Sequence, residues 1–244
     1  MPATTLATIV ASHRGRTGKT WLARLLAEHF IMAGHKPLIF DTDALESPLA
    51  TALPQAAIFD LDRVPDQIAF FEALATSGPE PRVVDVTHRS FEKFFKLLAE
   101  TDFIAEARAR KIEVVIFYIP GREHDGFEQG RQIQERFDCP LVVVDNSHLG
   151  EPKPFTRRSP GFQAVSSHTL RLALPRLDPN VARILDDPNL SIAEYMHQPA
   201  ADAPFAKGAG LREWLIKAFR EIWRVTKAIE TARSANPPAE SRKA

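Results

Sequence analysis

The chain has 244 residues, 44% of them hydrophobic and 25% charged, which is an ordinary globular composition with ample length for a buried core. Thirty-one lysines and arginines balance thirty-one aspartates and glutamates, so no overall field calls for nucleic acid or an anionic membrane surface. The single cysteine, Cys139, excludes an internal disulfide and fits a reducing, cytoplasmic setting.

The first residues, MPATTLATIVAS, lack a basic leader and read as a first strand over Leu6 to Ala11 rather than a signal peptide. No apolar run reaches 18 residues, so no membrane-crossing helix is expected. A glycine-containing loop follows the strand. Leu22, Leu25, Leu26 and Phe30 then recur at helical spacing between Lys19 and Ala33, with Gly34 as a C-terminal stop. A second strand over Pro37 to Phe40 ends in Asp41-Thr42-Asp43, and Val64 to Thr76 reads as a helix. A third strand, Arg82 to Val86, carries Asp85; helices are expected over Phe91 to Leu98 and Asp102 to Ala109. The run EVVIFYI, Glu113 to Ile119, is a strong strand, followed by a helix over Glu123 to Phe137 and a strand over Leu141 to Val144. A further strand is expected within Gln163 to Leu174, and Gly150 to Gly161 reads as a surface loop. Cys139, before Pro140 and an apolar run, reads as a small buried thiol.

Short apolar strands alternating with amphipathic helices imply an α/β, three-layer fold with a mostly parallel central sheet and helices on both faces. Such sheets bind ligands at the carboxyl ends of their strands. The unusual polar residues sit at those ends: the loop after strand one, Asp41 and Asp43, Asp85, and Asn146.

The loop reads Ser12-His13-Arg14-Gly15-Arg16-Thr17-Gly18-Lys19-Thr20. A strand–loop–helix turn aims backbone N–H groups and the positive helix end at an anion. A lysine adds charge at the β/γ-phosphates, and the hydroxyl after it can ligate Mg²⁺. Gly15, Arg16, Thr17, Gly18, Lys19 and Thr20 supply these parts. His13 stands where the full G-x-x-x-x-G-K-[ST] pattern has glycine; if that position needs positive φ, strain is expected there. The bland alternatives are a helix start at Gly-Lys-Thr, a solvated turn at Asp41 and Asp43, and an ordinary turn residue at Asn146. Asp85 lies among valines, where an unpaired carboxylate is costly, and this favours function.

The segment Arg14 to Thr20 resembles the deviant Walker A loop, K-G-G-x-G-K-[ST], of ParA/MinD-type P-loop ATPases. The resemblance continues through Asp41-Thr42-Asp43, similar to that family's D-x-D motif, and Val83-Val84-Asp85, similar to its Walker B strand. Within the family the order and spacing are similar to TraL-type ATPases of plasmid transfer, over about residues 5 to 197. The resemblance implies ATP and Mg²⁺ as cofactors. Lys19 would bind the β/γ-phosphates; Thr20 and Asp85 would hold Mg²⁺, with Asp41 supporting the metal region. Asp43 would orient the attacking water, and Asn146 would contact adenine. Arg14 falls on the signature-lysine position, which reaches the partner subunit's nucleotide in an ATP-linked homodimer. Arg16, Ala44, Thr87 and His88 depart from the family pattern, which leaves slow hydrolysis or a nucleotide-free scaffold as alternatives. A small-molecule P-loop kinase is a further one, with Arg157-Arg158 as its only lid candidate.

The domain is expected over 1–198, with a linker at 199–210, an amphipathic helix at 211–233 and a disordered tail at 234–244. In that helix Leu211, Leu215, Ala218, Ile222, Val225 and Ile229 form one stripe, opposite Lys217, Arg220, Arg224 and Lys227. Packing on the domain or on a protein partner is expected, with a peripheral membrane contact second and a DNA contact third.

Overall fold

The computed structural model describes residues 5–185, 187, 190–197 and 208–235. Seven strands form one all-parallel sheet: β1 (Thr5–Ala11), β2 (Leu38–Asp41), β3 (Ala57–Ile58), β4 (Arg82–Asp85), β5 (Ile112–Tyr118), β6 (Leu141–Asn146) and β7 (Arg171–Leu174). Their order is β3-β2-β4-β1-β5-β6-β7, which puts β1 at the centre. The α/β three-layer expectation holds.

Side chains alternate between the two faces of the sheet, as the two-residue period of a strand requires. Leu6 and Val10 of β1 point to one core; Ala7, Ile9 and Ala11 point to the other. The first core is covered by α1 (Lys19–Met32), α2 (Pro48–Ala52), α8 (Pro179–Leu185), α9 (Ile192–His197) and α10 (Gly208–Ala235). The second is covered by α3 (Val64–Ala75), α4 (Phe91–Glu100), α5 (Phe103–Ala109), α6 (His124–Arg136) and α7 (Pro160–Ser166). It is rich in phenylalanine: Phe70 meets Phe40, Phe59, Phe71 and Phe94 at centroid distances of 5.1–6.1 Å. Cys139 packs against this core, and burial pushes its thiol pKa up to about 12, so it is an inert small apolar group at neutral pH.

One expectation changes. The segment expected as a surface loop, Gly150 to Gly161, contains a 3-10 turn over Thr156–Arg158 and the start of α7, and it buries Thr156 and Ser159. The Ser159 hydroxyl accepts from the N–H of Phe162, an N-cap that starts the helix. The further strand expected within Gln163 to Leu174 is β7, which follows the end of α7.

The amphipathic helix at 211–233 lies within α10. Its stripe of Leu211, Leu215, Ala218, Ile222, Val225 and Ile229 is buried in the first core. Of the alternatives for this face, packing on the domain is the one the structure shows, and the stripe is not available to a partner or a membrane. Polar residues of the same helix close the β7 edge: Arg224 Nη2 donates to the Arg171 carbonyl at 2.6 Å, and Glu221 accepts from the Ala173 N–H at 3.4 Å. An edge strand with satisfied groups no longer templates aggregation. Of the expected linker at 199–210, residues 208–210 are the start of α10, and of the expected tail at 234–244, residues 234–235 are its end; 199–207 and 236–244 lie outside the described residues.

Two residues of α1 tie down the chain leading to α9. The Arg24 guanidinium donates to the carbonyls of Leu185, at 2.7 Å, and Leu190. Glu28, one helical turn on, accepts from the N–H groups of Ile192 and Ala193 at the start of α9. Burial raises the Glu28 pKa, against those two N–H bonds. The helix that leaves the loop is thus also the anchor of the later chain.

Candidate functional site

Register sets the site. Val10 is paired with Asp85, and Asp85 with Asp41, so the ends of β1, β4 and β2 lie side by side. The loop after β1 crosses above them and enters α1 at Lys19. No side chain caps the start of α1, so its positive end faces the cleft.

The strain expected at His13 falls elsewhere. The non-glycine residue of the loop with positive φ is Arg16, at 58°, while Gly18 is at 90°. Arg16 stands where the K-G-G-x-G-K-[ST] pattern has its second glycine. A left-handed conformation costs an L-residue roughly 1 kcal/mol. Arg16→Gly is therefore expected to raise stability by no more than about 0.5 kcal/mol, after the added freedom of the unfolded chain is deducted. A urea midpoint that falls instead would show that the arginine side chain makes a stabilising contact that outweighs the strain.

His13 stacks edge-on against Phe91, with ring centroids 5.6 Å apart. Gly18 has a second constraint: a Cβ there would lie 2.7 Å from the amide nitrogen of Asn146. That amide donates to the Thr17 carbonyl at 3.0 Å, and the Asn146 side-chain oxygen accepts from the His148 N–H. Asn146 is brought to the loop as expected, but both its polar groups hold backbone.

Thr20 and Asp85 meet directly. The Thr20 hydroxyl donates to Asp85 Oδ2 at 2.6 Å. Asp85 Oδ1 is buried and has no hydrogen-bond partner. Burial pushes the Asp85 pKa up to about 7, with the Thr20 hydrogen bond opposing the shift. Lys19 lies beside it, buried, with its ammonium donating to the Arg14 carbonyl at 3.0 Å. Burial pulls the Lys19 pKa down, and the charges of Asp85 and Asp43 partly offset this. A cation at this point would satisfy the orphaned oxygen. The donor set, one carboxylate and one hydroxyl, suits Mg²⁺, which keeps waters and phosphate oxygens for the rest of its octahedron. It does not suit a caged metal, and no group of three or more histidine, cysteine or carboxylate ligands occurs among the described residues.

Asp41, expected to support the metal region, is fully buried and engaged with backbone. Its Oδ1 accepts from the Asp43 N–H, and its Oδ2 from the N–H groups of Leu49 and Ala50 at the start of α2. Burial raises its pKa despite these three bonds. Its visible work is to fold the 42–50 turn under the site. Asp43 faces the cleft. Its Oδ2 accepts from the Thr87 hydroxyl at 3.0 Å, and its Oδ1 from the Arg89 guanidinium at 3.1 Å.

Arg14 is exposed but is paired within its own chain. Its Nη2 lies 2.6 Å from Asp125 Oδ2, in the first turn of α6. Gly126 makes that approach possible, since a Cβ there would sit 1.9 Å from the Pro120 carbonyl oxygen. Arg157, a lid candidate, closes its own loop onto the Pro152 carbonyl and Glu151.

Lys19, Thr20, Asp43 and Asp85 share a cleft of about 460 Å³ with Arg16 and with two residues not expected from the sequence, His88 and Arg89. The His88 ring covers Gly15, 3.2 Å from where a Cβ would be. A second hollow of about 330 Å³ continues past Gly18 to Trp21 and Leu185.

No protein-family model and no curated protein matches the chain. Among solved structures it is similar to the MinC:MinD cell division protein complex of Aquifex aeolicus, at 13% identity and a TM-score of 0.49, over 90% of this chain and 95% of that one. A likeness at that level decides neither ligand nor activity. No described helix is long and apolar enough to cross a membrane.

Proposed function

We propose that the chain is an ATP-dependent switch of the ParA/MinD type that binds Mg–ATP over the loop of residues 12–20. The observation that carries this reading is the orphaned oxygen of Asp85 under the first turn of α1, hydrogen-bonded on its other oxygen to Thr20. A buried carboxylate atom without a partner is costly unless a ligand completes it. A strand, a loop with lysine and threonine, an open helix start and an aspartate on the neighbouring parallel strand together make a triphosphate–metal cradle.

In this reading Lys19 exchanges its bond to the Arg14 carbonyl for phosphate oxygens. Thr20 and Asp85 hold Mg²⁺, which when bound neutralises phosphate charge. Asp43 orients a water at the third phosphate, and Asp41 keeps Asp43 in place through the turn. Asn146 fixes the loop beneath the nucleotide. Arg14 would contact a second subunit's nucleotide after releasing Asp125. That ion pair is largely exposed and is worth about 0.2–1 kcal/mol, so it opens readily. Homodimerisation, slow hydrolysis, cytoplasmic location and a role in plasmid transfer, partition or positioning belong to the same proposal.

The test is calorimetry with ATP and ADP, each with Mg²⁺, on the wild type and on Lys19→Ala. Wild-type binding should weaken at least about 100-fold in the variant, since a charged hydrogen-bonding group to phosphate is lost. A folded wild type that binds neither nucleotide would leave a scaffold with this fold and remove the ATPase and kinase readings together.

A further inference from the structure

Asp43 is saturated. Besides Thr87 and Arg89, its Oδ1 accepts from the N–H groups of Leu45, at 3.3 Å, and Glu46, at 3.2 Å. A carboxylate with this many donors has little capacity left to hold a water. The two backbone donors belong to its own turn and move with it. The Thr87 and Arg89 donors come from the turn after β4, directly beyond Asp85.

Arg89 is the movable member. Its side chain is 41% exposed, and it forks between Asp43, through Nη1, and Glu46, through Nη2 at 2.7 Å. It lines the same cleft as Lys19, Thr20 and Asp85. Arg14 stands on the loop but is held by Asp125. Arg89 enters the cleft from the turn after β4, the same turn whose His88 ring covers Gly15 of the loop, so it borders the space that a triphosphate over the loop would occupy. A guanidinium binds phosphate oxygens in a bidentate fork, and a phosphate of two negative charges competes well against a carboxylate.

We propose that Arg89 is the residue that distinguishes a nucleoside triphosphate from a diphosphate, in cis. It pairs with Asp43 when no terminal phosphate is present. It transfers to the terminal phosphate when one is, and that transfer frees the Asp43 carboxylate to hold a water. This inference rests on nucleotide binding at the loop and adds to it a specificity residue outside every motif of the loop.

The probe is a non-hydrolysable ATP analogue compared with ADP, both with Mg²⁺, by calorimetry on the wild type, Arg89→Ala and Arg89→Lys. Arg89→Ala should lose about 10- to 100-fold in affinity for the analogue, with ADP changed less than about threefold. Arg89→Lys should recover part of the loss, because it restores charge without the fork. The fold should survive either change, since Asp43 keeps Thr87 and two backbone donors. Equal losses for both ligands, or no loss for either, would overturn the role of Arg89 and leave the loop's nucleotide site intact. A wild type that binds neither ligand would overturn both readings at once.

Discussion

Ile222→Glu is expected to destabilise the protein by about 4 kcal/mol or more, while Trp223→Glu, one residue on, shifts stability by no more than about 0.5 kcal/mol. The two positions differ in what covers them. Ile222 is fully buried between α1 and the sheet, and Trp223 is 55% exposed. A carboxylate at position 222 would lose its water and find no cation in an apolar core of Leu215, Ala218, Val225 and Phe219. At position 223 it would stay hydrated. Urea midpoints of the two variants measure the difference directly. The comparison also separates the roles open to a basic amphipathic helix. A helix that lay on a membrane through this stripe would tolerate Ile222→Glu in its fold and lose vesicle binding. A cooperative loss of stability in solution, with Trp223→Glu unaffected, marks α10 as part of the core.

The same helix shows where sequence reading stops. Its apolar stripe was legible at a spacing of three and four residues, but a stripe records only that something covers it. Sequence gives no address for the cover, which here is α1 and β7. The strands were legible because each is a short apolar run between helices with one or two wet faces. The elements that escaped, α2, β3, α7, α8 and α9, have five, two, seven, seven and six residues. Such lengths carry too few periods for a pattern. In the site, Lys19, Thr20, Asp43 and Asp85 were legible by type and spacing. Their partners were not. Arg89 reaches Asp43 across 46 residues, and Asp125 reaches Arg14 across 111, through strand register and a glycine that lets α6 come close. The one available signal for Arg89 was an arginine shortly after a strand that ends in aspartate. Backbone strain was also displaced: departure from a glycine pattern pointed to His13, whereas the left-handed residue is Arg16.

Asp85→Asn should make the ligand-free protein more stable at alkaline pH and, under the proposed function, abolish Mg²⁺-dependent nucleotide binding. The folded carboxyl titrates near 7, and the ordinary value is 3.8. The native state therefore holds the Asp85 proton over a range in which the unfolded chain has released it. The stability this proton confers is complete below about pH 4 and is lost as pH rises through 7. Across that range the loss amounts to about 4 kcal/mol. Asparagine does not ionise, so the slope disappears. It keeps an oxygen for the Thr20 hydroxyl but puts an amide where Asp85 Oδ1 has no partner, which costs about 1–3 kcal/mol. The variant should therefore be the weaker protein near pH 4 and the stronger one near pH 8. Adding Mg²⁺ and ATP should reverse the order at pH 8, because only the wild type gains the binding free energy. Urea midpoints at the two pH values, with and without Mg–ATP, give all four comparisons. A wild type whose stability is as flat between pH 4 and 8 as that of Asp85→Asn would contradict a carboxyl that titrates near 7. The expected crossover has a physical meaning: an ionised carboxylate at the foot of α1 lowers the stability of the ligand-free fold, and the cation of the proposed function would remove that penalty.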